Sequence, residues 1–255
     1  MGVDVKMIEM KNISLQLTGT TILDNVSLKI EKGTTHVILG PSGAGKSTIL
    51  KVILGLLPID DGSVIIEGKD ITSLTEKEIL EVRRKMGVVF QGNALFDSLT
   101  VAENTSYFLS DFTNDSEEQI NKKVKEILSF VNLEGTENLY PDQLSGGMKK
   151  RLAIARALAT DPKIILFDEP TTGLDPINSK AVLDLIQRLK SIGTTSVIVT
   201  HILNDAIMIG DVLTVINDGK IVTSGSIKEI LQSNNQFVKD FFYEVYNDLS
   251  FIKQS

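Results

Sequence analysis

The chain has 255 residues, 42% of them hydrophobic, with 26 Lys and Arg against 33 Asp and Glu for a net charge of −7. That apolar content can form a substantial core and excludes wholesale disorder, while the acidic balance argues against a general nucleic-acid binder. With no cysteine and two histidines, disulfides and thiolate metal sites are excluded and a His-rich metal site lacks ligands.

No apolar run reaches the roughly 18–20 residues that a membrane-spanning helix requires. The N-terminal MGVDVKMIEMKN lacks the basic-then-apolar layout of a secretory signal, and Lys6 breaks the myristoylation pattern that Gly2 would begin. Contact with a membrane is therefore expected through a partner.

Taken in chain order, short β-branched runs alternate with helical patterns, as in an α/β protein. Met7–Leu17, Val26–Ile30, Thr35–Leu39, Ser63–Ile66 and Met86–Phe90 are the first expected strands. Turn residues at Thr18-Gly19, Lys32-Gly33 and Asp61-Gly62 make the early ones local and antiparallel. From Gln91 to Thr160 the strand signal vanishes. Ser116–Val131 carries Ile120, Val124, Ile127, Leu128 and Val131 at a helical period, and Ser145–Thr160 reads as a second helix. Lys163–Phe167, Ser196–Thr200, Val212–Asn217 and Lys220–Ser224 return to strand, with Asp218-Gly219 as a hairpin turn. The runs at 35, 163 and 196 are apolar on both faces, as buried parallel strands are.

Three motifs carry chemistry. GPSGAGKST, comprising Gly40, Pro41, Ser42, Gly43, Ala44, Gly45, Lys46, Ser47 and Thr48, follows a strand and opens a helical pattern. It satisfies the phosphate-loop spacing in its required context. Backbone N–H groups would curl around the phosphates, Lys46 would reach the β/γ-phosphates, and the Ser47 hydroxyl would ligate Mg²⁺. KIILFDEP ends an apolar strand in two carboxylates, suiting Asp168 to Mg²⁺ and Glu169 to polarising the attacking water. In QLSGGMKKRLAIARALA, Ser145, Gly146 and Gly147 expose N–H groups at a helix N-terminus, a second anion site; Lys149, Lys150 and Arg151 read equally as a solvated face.

Phosphate loop, LSGG, a strand ending DEP and a strand ending in His201 stand in the order of an ABC-type ATPase, which the chain resembles from about Lys11 to Ile230. The resemblance implies a P-loop NTPase (RecA-like) α/β core with an antiparallel β subdomain, over 1–90 and 160–230. An inserted α-helical signature subdomain would cover 91–159, and a C-terminal helical extension 231–255. It implies a homodimer of cassettes with each ATP between one phosphate loop and the partner's LSGG turn. Asp175 in TGLD would lie on the loop crossing the dimer seam, and His201 would contact the γ-phosphate. Gln91 would sense Mg²⁺ and the attacking water. Three departures stand out: Met148 replaces the usual glutamine of LSGGQ, Leu17 occupies the adenine-stacking position, and Ile202 follows His201 where many relatives carry Asp.

The stretch QGNALFDSLTVAEN is apolar at Leu95, Phe96, Leu99 and Val101 without a regular period, and Gln91–Asn104 is expected to receive an integral-membrane permease. Together with YPDQLSGGMKKRLAIARALATDP and DEPTTGLDPI, its wording resembles the ATPases of Mla/Mce-type lipid transporters. That resemblance implies phospholipid or lipid transport between envelope membranes, from the cytoplasmic face of the inner membrane. It also implies a lipid-binding MCE protein and a STAS-domain regulator as partners. An importer or exporter cassette for another solute is the alternative. In the tail, Phe237, Phe241, Val245 and Leu249 recur every four residues with Phe242 and Tyr246 beside them, an amphipathic helix that packs on its own core or reaches a second cassette or regulator.

Overall fold

In the computed structural model, residues 6–109, 113 and 115–243 are described. The chain divides into two compact units, one formed by residues up to Leu74 together with those from Val199 onward, the other by Thr75–Ile198.

The first unit holds an antiparallel sheet in the order β2-β1-β4-β5, built from β1 (Lys6–Leu17), β2 (Thr20–Glu31), β4 (Asp61–Ile66) and β5 (Lys69–Asp70). Thr18 and Gly19, at φ 50° and 80°, make the tight turn between β1 and β2. The strand expected at Val26–Ile30 extends to twelve residues, Thr20–Glu31. Asn12 and Asn25 adopt positive φ where the β1–β2 register shifts, and such bulges break the alternation by which a long strand is recognised. The two-residue β5 has no signal of its own.

Beside these lie β3 (Thr35–Leu39), β9 (Val212–Asn217) and β10 (Lys220–Gly225), in the order β10-β9-β3. β3 is buried throughout and pairs parallel with β9. β9 and β10 form the expected hairpin: Asn217 faces Lys220, with Asp218 at φ 46° and Gly219 at 72°. The helices of this unit are α1 (Lys46–Ile53), α7 (Leu203–Ile209), α8 (Ile227–Leu231) and α9 (Gln236–Phe241). Val238 and Phe242 are closed to solvent, so the described part of the tail packs on its own unit. The inward pair is 238/242, not 237/241; Val245, Tyr246 and Leu249 lie outside the described residues.

The second unit contains strands in the order β8-β7-β6, from β6 (Met86–Val89), β7 (Ile164–Asp168) and β8 (Thr195–Thr200), the last carrying the chain back to the first unit. β6 and β7 are parallel, with Val89 opposite Phe167. Its helices are α2 (Glu76–Arg83), α3 (Val101–Ser106), α4 (Glu117–Phe130), α5 (Gly146–Leu158) and α6 (Pro176–Ser191). Both helices expected here are present. Ser116 caps α4 through a bond from the Gln119 N–H, and Ser145 caps α5. Among the described residues no helix is long and apolar enough to cross a membrane.

Candidate active site

In the first unit the phosphate loop leaves the end of β3 and enters α1. Gly45 is the N-cap of α1 at φ 101°, a left-handed conformation that glycine adopts without steric cost. Gly40 serves a different need: a Cβ there would collide with the Ile216 carbonyl of β9. The motif's glycines thus admit neighbouring backbone as well as a phosphate. Lys46 is buried, and its ammonium donates to the carbonyls of Gly40 (2.8 Å) and Pro41 (2.9 Å). The loop is held around the cation that would meet the phosphates. Leu17 ends β1 with a 38% exposed side chain, able to offer an adenine ring apolar contact.

His201 is exposed directly after β8. Ile202 is the N-cap of α7 and supplies no side-chain hydrogen bond to the helix start. An aspartate at this position could cap that helix; the isoleucine leaves the helix start after His201 without a side-chain cap.

In the second unit, β7 delivers Asp168 at its C-terminal end and the chain turns at Glu169. Glu169 is buried and sits at φ 48°, a conformation uncommon for a residue with a side chain and one that clusters at functional sites. The Thr172 hydroxyl donates to its Oε2 at 3.0 Å, fixing the carboxylate's direction.

The signature turn is braced from behind. Ser145 and Gly146 are exposed, and Ser145 Oγ accepts from the Met148 N–H at 3.3 Å, leaving its own O–H able to donate outward. Gly147 is buried; a Cβ there would collide with the Asn178 side chain. Asn178 Nδ2 in turn donates to Asp175, which caps α6 by accepting from the N–H groups of Ile177 and Asn178, each at 3.0 Å. These bonds, led by that from the Asn178 backbone, hold the Asp175 carboxyl below the usual carboxylate range. One asparagine therefore ties Gly147 to Asp175. Met148, in place of glutamine, is half-buried beside this turn.

The irregular stretch after β6 is organised by three buried polar side chains that the sequence did not reveal. Lys150 donates to the carbonyls of Phe90 (3.2 Å) and Gln91 (3.0 Å), and Arg156 to those of Asn93 (3.1 Å) and Ala94 (2.6 Å). Asn104 bonds the backbone of Phe96, Leu99 and Thr100. Lys150 is 2% exposed, which corrects its reading as part of a solvated face. Burial pushes its ammonium down to about 8, with Asp168 acting in the opposite direction. The available signal was the presence of Lys150 and Arg156 in the helix that carries the largely apolar LAIARAL. Gln91 itself is exposed.

The same loop borders an open cleft of about 520 Å³ lined by Leu80, Met86, Val88, Phe90, Phe96 and Arg156 among others. Phe96 stacks on Tyr107 with ring centroids 4.3 Å apart, and the Arg156 guanidinium lies 5.4 Å from the Phe96 ring centre. Phe96 is thus the side chain among Leu95, Phe96 and Leu99 that lines the cleft, whereas Val101 and Asn104 are closed to solvent.

A model of the ABC transporter family matches residues 23–172. The chain belongs to the ABC transporter family. This ABC cassette is 39% identical over 236 residues to the intermembrane phospholipid transport system ATP-binding protein MlaF of Haemophilus influenzae, covering 92% of this chain and 89% of that protein. It is 41% identical over 247 residues to the methionine import ATP-binding protein MetN of Haemophilus ducreyi, with coverages of 93% and 72%. The ABC cassette MJ0796, solved as a dimer in a post-hydrolysis state bound to ADP and Pi, superposes with a TM-score of 0.80 at 36% identity, covering 87% of this chain and 99% of that one. The expected family, α/β fold and ATP-hydrolysing activity therefore hold: the chain is the ATPase subunit of an ABC transporter.

Proposed function

We propose that this ATPase drives transport of phospholipid or a related lipid between envelope membranes, as a homodimer bound to an integral-membrane permease on the cytoplasmic face of the inner membrane. The observation carrying the permease contact is the apolar cleft beside Gln91–Asn104, whose Leu80, Phe90 and Phe96 are 44%, 41% and 36% exposed. Apolar side chains gathered in a concave surface fit a partner helix. The similarity to a protein named for intermembrane phospholipid transport supports lipid as cargo, and an MCE lipid-binding protein and a STAS-domain regulator belong to that reading. The 41% identity to a methionine import protein favours the second reading, an importer of another solute.

The residues fit Mg²⁺ and ATP. Donors at Ser47, Asp168 and Gln91 are all oxygens, as a hard cation prefers, and Lys46 is held among loop carbonyls that phosphate oxygens can replace. Mg²⁺, when bound, neutralises charge building on the β- and γ-phosphates. In this reading Lys46 holds the phosphates, Glu169 orients and deprotonates the attacking water, and His201 contacts the γ-phosphate. Gln91 senses the water, Leu17 lies on the adenine, and Ser145, Gly146 and Gly147 donate to the nucleotide of the opposite cassette, with Asp175 on the seam.

Purifying the complex from native membranes and identifying its subunits and lipid tests the assignment. A permease with an MCE-domain protein and bound phospholipid is the expected set; a solute-binding protein in their place selects the importer. Phe96→Asp is expected to fold and release the permease. Unfolding of that variant would assign Phe96 to the core and sink the interface.

A further inference from the structure

A lysine closed to solvent ordinarily finds a carboxylate, because an ammonium loses several kcal/mol of hydration when buried. Lys150 instead directs its Nζ at two consecutive carbonyls, Phe90 and Gln91, the first after β6 ends at Val89. The register of the neighbouring strands gives those positions meaning. Val89 lies opposite Phe167, so the chain leaves β6 at Phe90 and Gln91 beside the point where β7 ends at Asp168 and turns at Glu169. All five residues belong to the second unit. A free strand end is the part of a sheet least constrained by ladder bonds, and this one is gripped from α5, the helix capped by Ser145.

We propose that Lys150 is the positioning residue for Gln91, clamping the backbone at the end of β6 so that the Gln91 side chain starts from a set place beside Asp168 and Glu169. The clamp makes the signature helix and the end of β6 move as one piece. The proposal rests on the reading of Gln91 as part of the hydrolytic machinery. A purely space-filling Lys150 predicts something different, since methionine of similar length would replace its stem.

The test is a double-mutant cycle on the full-length chain with its co-purified subunits, measuring kcat and KM for ATP at saturating Mg²⁺ and hydrogen exchange across residues 90–94. Lys150→Met is expected to lower kcat by about 10-fold with KM changed less than about twofold, as mispositioning without lost binding does. It should also speed exchange at 90–94 while leaving β7 protected. Lys150→Arg, which can still donate to both carbonyls, is expected to recover most of the rate. Lys150→Met combined with Gln91→Ala should be no slower than Gln91→Ala alone, because the lysine acts through the glutamine. Wild-type kcat in Lys150→Met beside a slow Gln91→Ala, or a double variant slower by the product of the single effects, overturns the proposal and leaves Gln91 in its role. Wild-type kcat in Gln91→Ala alone overturns the reading of Gln91 and the proposal with it. Should Lys150→Met not fold, Lys150→Gln, which keeps a neutral donor, carries the same cycle.

Discussion

Asn104 and Phe96 clasp one another through two hydrogen bonds: the Phe96 N–H donates to Asn104 Oδ1 and Asn104 Nδ2 donates to the Phe96 carbonyl, both at 3.0 Å. The same Nδ2 lies 3.0 Å from the Leu99 and Thr100 carbonyls. Asn104 is closed to solvent, and its amide does for this irregular segment what a neighbouring strand does for a regular one. Replacing it with leucine removes the partner of several part-buried backbone groups, and a fully buried group left unpaired costs about 1–3 kcal/mol. Asn104→Leu is expected to lose about 2–4 kcal/mol in urea unfolding. An unchanged midpoint would show that the loop finds other partners.

Glu169 reaches its place through a left-handed backbone and the Thr172 hydroxyl. Glu169→Gln keeps the shape and removes the carboxylate proposed as the base, so it should bind ATP normally while turnover falls by about 100-fold or more. Thr172→Val should lower kcat by about 3–10-fold with KM nearly constant, since an orienting bond is lost and a binding contact is not. Steady-state ATPase assays with nucleotide titrations separate the two. Full turnover by Glu169→Gln would remove Glu169 from the role of base.

His36 sets a pH dependence of stability. Its ring is 1% exposed, and Nε2 lies 2.8 Å from Thr214 Oγ1, which in turn bonds Ser224. Burial lowers its pKa from 6.5 to about 4, so between those values the unfolded chain takes up a proton that the folded chain refuses. Stability from this source is complete above pH 6.5 and declines as pH falls toward 4, by about 3 kcal/mol in all. His36→Gln can bond Thr214 and cannot titrate there. Its denaturant-unfolding free energy should vary less between pH 7 and pH 4.5 than that of the wild type, and parallel curves would contradict the assignment.

Ile202 leaves the start of α7 without a side-chain cap. Its φ of −88° and ψ of 106° already suit a capping residue. Ile202→Asp is expected to add about 0.5–1 kcal/mol and to raise the melting temperature by about 1–4 °C. A lower melting temperature would mean that the isoleucine side chain contributes more by packing than the cap supplies.

The phosphate loop, the strand ending in Asp168 and Glu169, and the LSGG turn were legible because each is a local device. Glycine spacing, an apolar run and a helix cap are written in consecutive residues, and the buried strands β3 and β7 announce themselves by continuous apolarity. The extent of β2 was hidden because Asn25, at positive φ beside a register shift, breaks its period. The tail's inward face was misread because its period, starting at Phe237, fits two registers, and only packing chooses Val238 and Phe242.

What the sequence determined by itself is the family and its activity, an ATP-hydrolysing ABC cassette, with the proposed site residues Asp168 at a strand end and Lys46 at a helix start. What tertiary structure alone decided is how QGNALFDSLTVAEN is held. Lys150, Arg156 and Asn104 reach its carbonyls from 4 to 63 positions away along the chain, and the long-range pairings leave no periodic trace. A lysine or arginine in an amphipathic-looking helix reads as solvated until the fold shows that the water has been replaced by backbone oxygens.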